Sequence, residues 1–210
     1  MGRSAAIAAA LLFSAALAAC AAPSVDAAGV ARVAPAPRPQ DGPAGGPPAA
    51  WDHHARGTIW TAAALGALDD HAAPLVAMVP ADVTDWCPAY PAAGRERRKA
   101  FWVALVSAMS GMESGWRPAV SNPTNRWHGL MQISPETARG HGCRATTAEA
   151  LKSGPANLRC GLRIITRTVT RDAVVARGGG GVAADWGPFS RPAQREKLRA
   201  FTRGHPACRA

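Results

Sequence analysis

Hydrophobic positions recur with helical spacing along most of the chain, and no segment shows the two-residue period of a strand. The strongest pattern runs from Arg95 to Glu113. Phe101, Leu105, Ala108 and Met112 fall on one face, and Trp102, Val106, Met109 and Glu113 on the neighbouring one. Gly115 and Pro118 predict where that helix stops. Residues 58–79 predict a helix of weaker pattern, with Pro74 a candidate break, and Thr84–Pro91 a turn-rich connection. Residues 116–129 read as a loop, with Asn122-Pro123 as its turn signal. Ser134 is placed to cap a short helix opening at Pro135, with Glu136 in its first turn and Gly140 and Gly142 stopping it. Pro155 opens a long helix expected to reach about Arg177, before the Gly178–Gly181 run. Its core face is Leu158, Leu162, Ile165 and Val169. Arg159, Arg163, Arg167 and Arg171 recur every four residues on another face and read as a solvated basic ridge. A last helix is expected over Pro192–Arg203. The fold class is therefore all-α, with one core and no internal repeat.

The N-terminus follows different rules. Arg3 precedes an apolar run, Ala5–Ala19, broken only by Ser14. The run is too short for a permanent bilayer span and has the layout of a secretory signal. Leu17-Ala18-Ala19-Cys20 resembles a bacterial lipobox. That implies cleavage before Cys20, lipidation of its thiol and membrane attachment there. Each buried acyl methylene contributes about 0.8 kcal/mol, so more than one chain anchors stably. Ala21, not Asp, follows the Cys, so the expected place is the cell envelope, at the periplasmic face of the outer membrane. An ordinary signal with an incidental Cys is the alternative. Residues 21–50 are rich in Ala, Pro and Gly and poor in bulky apolar groups. They read as a disordered tether. The expected organisation is a signal over 1–19, a lipidated Cys with its tether over 20–50, and the domain over 51–210.

The 210 residues suffice for one such domain with a real core. Export places it where disulfides persist. With Cys20 set aside, four cysteines remain, which allow three pairings. Cys143 with Cys160 closes a short loop, and Cys87 with Cys208 ties the tail to the body; these are the favoured pairs. His141, two residues before Cys143, raises a zinc alternative. No Cys-x-x-Cys and no second close His supports it, so neither metal nor cofactor is expected. The net charge of +10 suits an anionic polymer. An exported lipoprotein would rarely meet nucleic acid; peptidoglycan and lipid headgroups are nearer.

Glu113 is the candidate catalytic residue. At a helix C-terminus it faces the negative end of the dipole, and Met109, Met112 and Trp116 would desolvate it. Both effects raise a carboxyl pKa, as a general acid requires. A frayed, exposed Glu is the plain alternative. The run Glu113-Ser114-Gly115-Trp116-Arg117-Pro118, then Ser121, then Gly129-Leu130-Met131-Gln132-Ile133-Ser134-Pro135, resembles the lytic transglycosylase (goose-type lysozyme-like) family. Asn157 and Gly161 resemble that family's next motif. The resemblance covers about residues 95–190.

It implies a compact lysozyme-like helical domain acting on peptidoglycan. Glu113 would protonate the glycosidic oxygen between N-acetylmuramic acid and N-acetylglucosamine. It would then act as base on the muramyl C6 hydroxyl, leaving a 1,6-anhydro end. The substrate's acetamido group would replace a second carboxylate, among the exceptions to the paired scheme. Ser121, Met131, Gln132 and Asn157 are implied as cleft residues. One departure stands out. The family usually carries a Tyr-Asn-Ala-Gly-like segment late in the domain, where this chain has Ala183-Ala184-Asp185-Trp186-Gly187-Pro188-Phe189. The only tyrosine, Tyr90, lies far upstream. Asp185 could bond hydroxyls there, and Trp186 could stack on a sugar or simply pack. The alternatives are a muramidase that admits water, a non-catalytic peptidoglycan-binding module, and a wall-opener serving an envelope machine.

Overall fold

The computed structural model describes residues 45–124 and 126–209. The signal, Cys20 and all but the end of the tether lie outside the described residues. Among the described residues eight α-helices follow one another: α1 (Gly57–Asp69), α2 (Ala73–Ala77), α3 (Arg95–Ser114), α4 (Pro135–Gly140), α5 (Ala148–Leu151), α6 (Gly154–Asp172), α7 (Gly187–Ser190) and α8 (Pro192–Gly204). Among the described residues extended pairing is confined to isolated bridges, Ser121 with His128 and His128 with Ile133. The fold is all-α, as the periodicity predicts.

α3 is the buried axis of the domain. From Phe101 to Ser107 every residue is buried, so this helix is enclosed rather than amphipathic. Its N-terminal end stays wet and charged. Lys99 reaches Asp69 of α1 and Glu96, each at 3.0 Å. At the other end Gly115 adopts φ 59° and donates its N–H to the Gly111 carbonyl, a left-handed stop that glycine adopts without strain.

Aromatic residues fill the space beside α3. Tyr90 donates to the Leu75 carbonyl at 2.9 Å and accepts from the Trp102 indole at 3.0 Å, so its hydroxyl is consumed inside the core. Burial pushes its pKa up to about 12. Trp51 meets Trp60 of α1 edge to face. Residues just before Trp51 also bond to the domain: Ala50 donates to Ser107 Oγ at 2.9 Å, and the Pro48 carbonyl accepts from His205 at 3.0 Å.

Two predicted helices change length. The segment 58–79 divides at Asp70–Ala72, and Pro74 sits in the first turn of α2, where its missing N–H costs nothing. α6 stops at Asp172 instead of Arg177, with Ala173 at φ 56°. The buried Asp82 carboxylate accepts from the amides of Val175, Ala176 and Arg177, which removes those residues from the helix. No local pattern near 173 carries that long-range cap. Ser134 caps α4 as expected, accepting from the Thr137 amide at 3.0 Å.

Two disulfides, Cys87–Cys208 and Cys143–Cys160, close the structure. The first fixes the tail after α8 beside the segment that precedes α3. The second fixes the segment after α4 against α6.

Candidate active site

The end of α3 and the loop that follows it build a cleft of about 370 Å³. Glu113 lies at its base, in the last turn of α3. Asn122, Trp127 and Gln132 supply one side, and Asp185, Trp186 and Gly187 the other.

The loop keeps its shape through a ladder of short bonds. Gly129 donates to Val120 at 2.9 Å, and His128 and Ile133 exchange two backbone bonds of 3.0 Å around a tight turn. Gly129 holds φ 81° against the Leu151 carbonyl and the Asn157 amide, where a Cβ has no room. Gln132 is itself left-handed, at φ 48°. Its side-chain amide donates to the Gly129 carbonyl at 2.8 Å and to the Val120 carbonyl at 3.3 Å. The cost of that backbone, about 1–2 kcal/mol, is offset by two bonds that aim the residue at the cleft.

Asn157 lies wholly buried on α6, outside the cleft lining. It accepts from the Met131 amide at 2.9 Å and donates to the His128 and Leu151 carbonyls, both at 2.9 Å. It therefore clamps the loop rather than facing a ligand. Met131 is likewise fully buried, its sulfur against Gly161. Ser121 stands beside the lining residue Asn122, its hydroxyl 2.8 Å from His128 Nδ1. Burial holds His128 below its ordinary pKa, which favours the neutral ring.

Of the residues singled out by sequence, the cleft thus brings together Glu113, Gln132, Asp185 and Trp186, while Met131 and Asn157 act from behind it. Trp186 is only 4% exposed, and its indole N–H is spent on the Met131 carbonyl at 2.9 Å. Its ring forms wall, not a free stacking face. The residues that sequence reasoning missed are Asn122 and Trp127. Trp127 is 42% exposed, in a polar loop, with the Arg126 guanidinium 5.4 Å from its ring centre. A large aromatic among polar neighbours was the available signal. Asn122 accepts from the amides of Arg126 and Trp127 and so fixes that indole at the cleft rim.

Glu113 is partly buried, and among the described residues no hydrogen bond reaches its carboxyl. Desolvation raises its pKa from 4.5 to about 7, against the opposing pull of the Arg191 guanidinium. The α3 C-terminus acts in the same direction as burial. A carboxyl poised in this way can donate a proton near neutrality and take one back.

A desolvated carboxyl in a polar cleft with an exposed indole, set in an all-helical domain, is the arrangement of the lysozyme-like class. Residues 91–172 match the model of the transglycosylase SLT domain, so the chain is similar to that domain over this segment. Solved structures of Bd0314 DslA are similar. A Glu-to-Gln mutant of that protein aligns with a TM-score of 0.70 at 27% identity, over 76% of this chain and 96% of that one. Its wild-type form 2 gives 0.70 at 26% identity, over 77% and 98%. No curated protein matches the chain.

Proposed function

We propose that the protein cleaves the β-1,4 bond between N-acetylmuramic acid and N-acetylglucosamine in peptidoglycan and leaves 1,6-anhydro ends. Glu113 donates its proton to the bridging oxygen as the C1–O bond breaks. The ionised carboxylate then removes the proton of the muramyl C6 hydroxyl, whose oxygen closes on C1. The proton count returns to its start, and no water enters. The observation that carries this reading is the Glu113 carboxyl itself, unbonded, desolvated and pushed to about 7 in the cleft. Gln132 offers its amide oxygen to sugar hydroxyls and amides, and Ser121, aligned by His128, lies one residue from the lining.

Asp185 favours a second reading, because it places another carboxylate on the same cleft. As a base it would activate water and make the enzyme a muramidase. Digesting purified sacculi and weighing the products decides between them: anhydro ends support the lyase, reducing ends the hydrolase. Asp185→Asn should leave lyase turnover within severalfold and abolish hydrolysis. Glu113→Gln should abolish both while leaving glycan binding, and retained cleavage by it sinks either scheme. The same proposal places the enzyme in the envelope, lipidated on Cys20. Metabolic palmitate labelling of wild type against Cys20→Ala tests that part separately.

A further inference from the structure

A second cavity, of about 170 Å³, opens on the side of α6 turned away from the Glu113 cleft. Asn157 and Gly161 face the catalytic loop, where one holds the Met131 amide and the other packs under its sulfur. Arg159 and Arg163 follow those two residues by two positions each, roughly 200° around the helix. They project to the other side, where Arg144 joins them from the segment between α4 and α5.

The charges in this cavity do not balance. Arg159 pairs with Asp70 at 3.2 Å, and His71 donates from Nε2 to the Arg159 carbonyl at 2.9 Å. Arg144 and Arg163 meet no carboxylate among the described residues. One ion pair is therefore satisfied, and two further arginines line the same small volume without a carboxylate partner. Asp70, the one carboxylate of the lining, is held by Arg159 and by His71 at 3.4 Å, and the rest is the Cys143–Cys160 disulfide with the methyl groups of Ala145 and Ala156. That disulfide also ties the Arg144 segment covalently to α6, which fixes how far Arg144 stands from Arg163.

We propose that this cavity is a second binding site, which takes a small oxyanion, a carboxylate or a phosphoryl group, between Arg144 and Arg163. Guanidinium forks bind both groups through paired, charge-assisted hydrogen bonds. The volume admits one terminal group and its first substituent, not a run of sugar rings, and the methyl-lined wall suits an apolar substituent. Two sources present that chemistry to an envelope protein: the carboxylate end of a wall peptide stem, and the phosphate of a wall polymer or lipid headgroup. The envelope setting rests on the proposed function; the oxyanion chemistry rests on the cavity alone.

Amide-resolved NMR titration of the disulfide-bonded protein tests the site without any cleavage assay. The probes are N-acetyl-D-alanyl-D-alanine, its C-terminal carboxamide and inorganic phosphate. Saturable shifts are expected at the amides of Arg144, Ala145 and Ala156 with an anionic probe, and none with the carboxamide. Saturation by the dipeptide acid assigns the peptide source, and saturation by phosphate alone the phosphoryl source. Arg144→Ala with Arg163→Ala should weaken binding at least tenfold, and Arg163→Gln alone should weaken it severalfold at an unchanged melting temperature. The proposal fails if neither anion saturates, if the carboxamide binds as well as the acid, or if the folded Arg163→Gln variant binds like wild type. Glu113→Gln should bind as wild type does, so a failure here is distinct from a failure at the cleft.

Discussion

The Trp186 indole donates to the Met131 carbonyl at 2.9 Å, which ties the segment after α6 to the loop that carries Gln132. Both residues are buried, so the bond works in a medium where an orphaned carbonyl is costly. Trp186→Phe keeps the apolar wall and removes the donor. The expected loss of stability is about 1–2 kcal/mol. Turnover should fall further than that loss implies, because Gln132 follows Met131 directly. Comparing thermal melts with sacculus digestion checks this; equal, small losses in both would reduce Trp186 to packing.

Glu113 should cost stability above neutral pH. Its folded pKa of about 7 lies above the ordinary 4.5. The native state therefore holds a proton that the unfolded chain has released across that interval. The associated stability is fully present below 4.5 and is lost as pH rises through about 7. The upper bound is on the order of 3 kcal/mol, less once solvent screening is counted. Glu113→Gln should accordingly melt higher than wild type at pH 8 and close to it at pH 4. A constant difference across that range would remove the desolvated acid.

Asn157 shows how far loop geometry depends on α6. Its three bonds to Met131, His128 and Leu151 satisfy backbone groups in the interior. Asn157→Ala orphans all three, at about 3 kcal/mol or more. Asn157→Asp can still accept from Met131 but sets a carboxylate against two carbonyl oxygens. Its folded pKa is thereby raised, so this variant should be most stable at acid pH and lose ground as pH rises. Denaturant titrations at pH 4 and pH 7.5 read the difference.

Trp127 is the aromatic that presents a face to the cleft, at 42% exposure. Its removal uncovers no core. Trp127→Ala should change stability by less than about 0.5 kcal/mol and raise KM severalfold with little change in kcat. An unchanged KM would leave this indole without a part in glycan binding.

Periodicity shows the helices because their apolar faces are local. Arg95–Glu113 and the Ser134 cap are read from neighbours a few residues apart, and the structure places them there. The end of α6 is not legible, because Asp82, some ninety positions earlier, takes the amides of Val175 to Arg177. The site divides in the same way. Glu113 is marked by its place at a helix end, and Gln132 by the motif around it. Asn157 belongs to the same resemblance, yet its role as a clamp emerges only when α6 meets the loop. Trp127 stands in a segment with no periodic partner, so only its exposure in three dimensions reveals it. The ridge of arginines hides a division of its own, since Arg159 and Arg163 line a cavity while Arg167 bonds the Gly140 carbonyl at the surface.

Under the proposed function, Arg191 shifts the alkaline limit that Glu113 sets. It directly precedes α8 and is the charge that opposes the desolvation of Glu113. Activity that requires a protonated Glu113 should decline as pH rises through about 7, approaching tenfold per unit well above it. Arg191→Ala withdraws a positive charge, which favours the neutral carboxyl, so the limb should move to higher pH while the plateau below it stays level. Arg191→Lys keeps the charge and should leave the limb in place. Added salt should move the wild-type limb in the same direction as Arg191→Ala, since Arg191 is exposed and its field is screened. Initial rates on sacculi across pH 5 to 9 at two ionic strengths supply the comparison, and a limb that ignores both the variant and the salt would detach Arg191 from the acid.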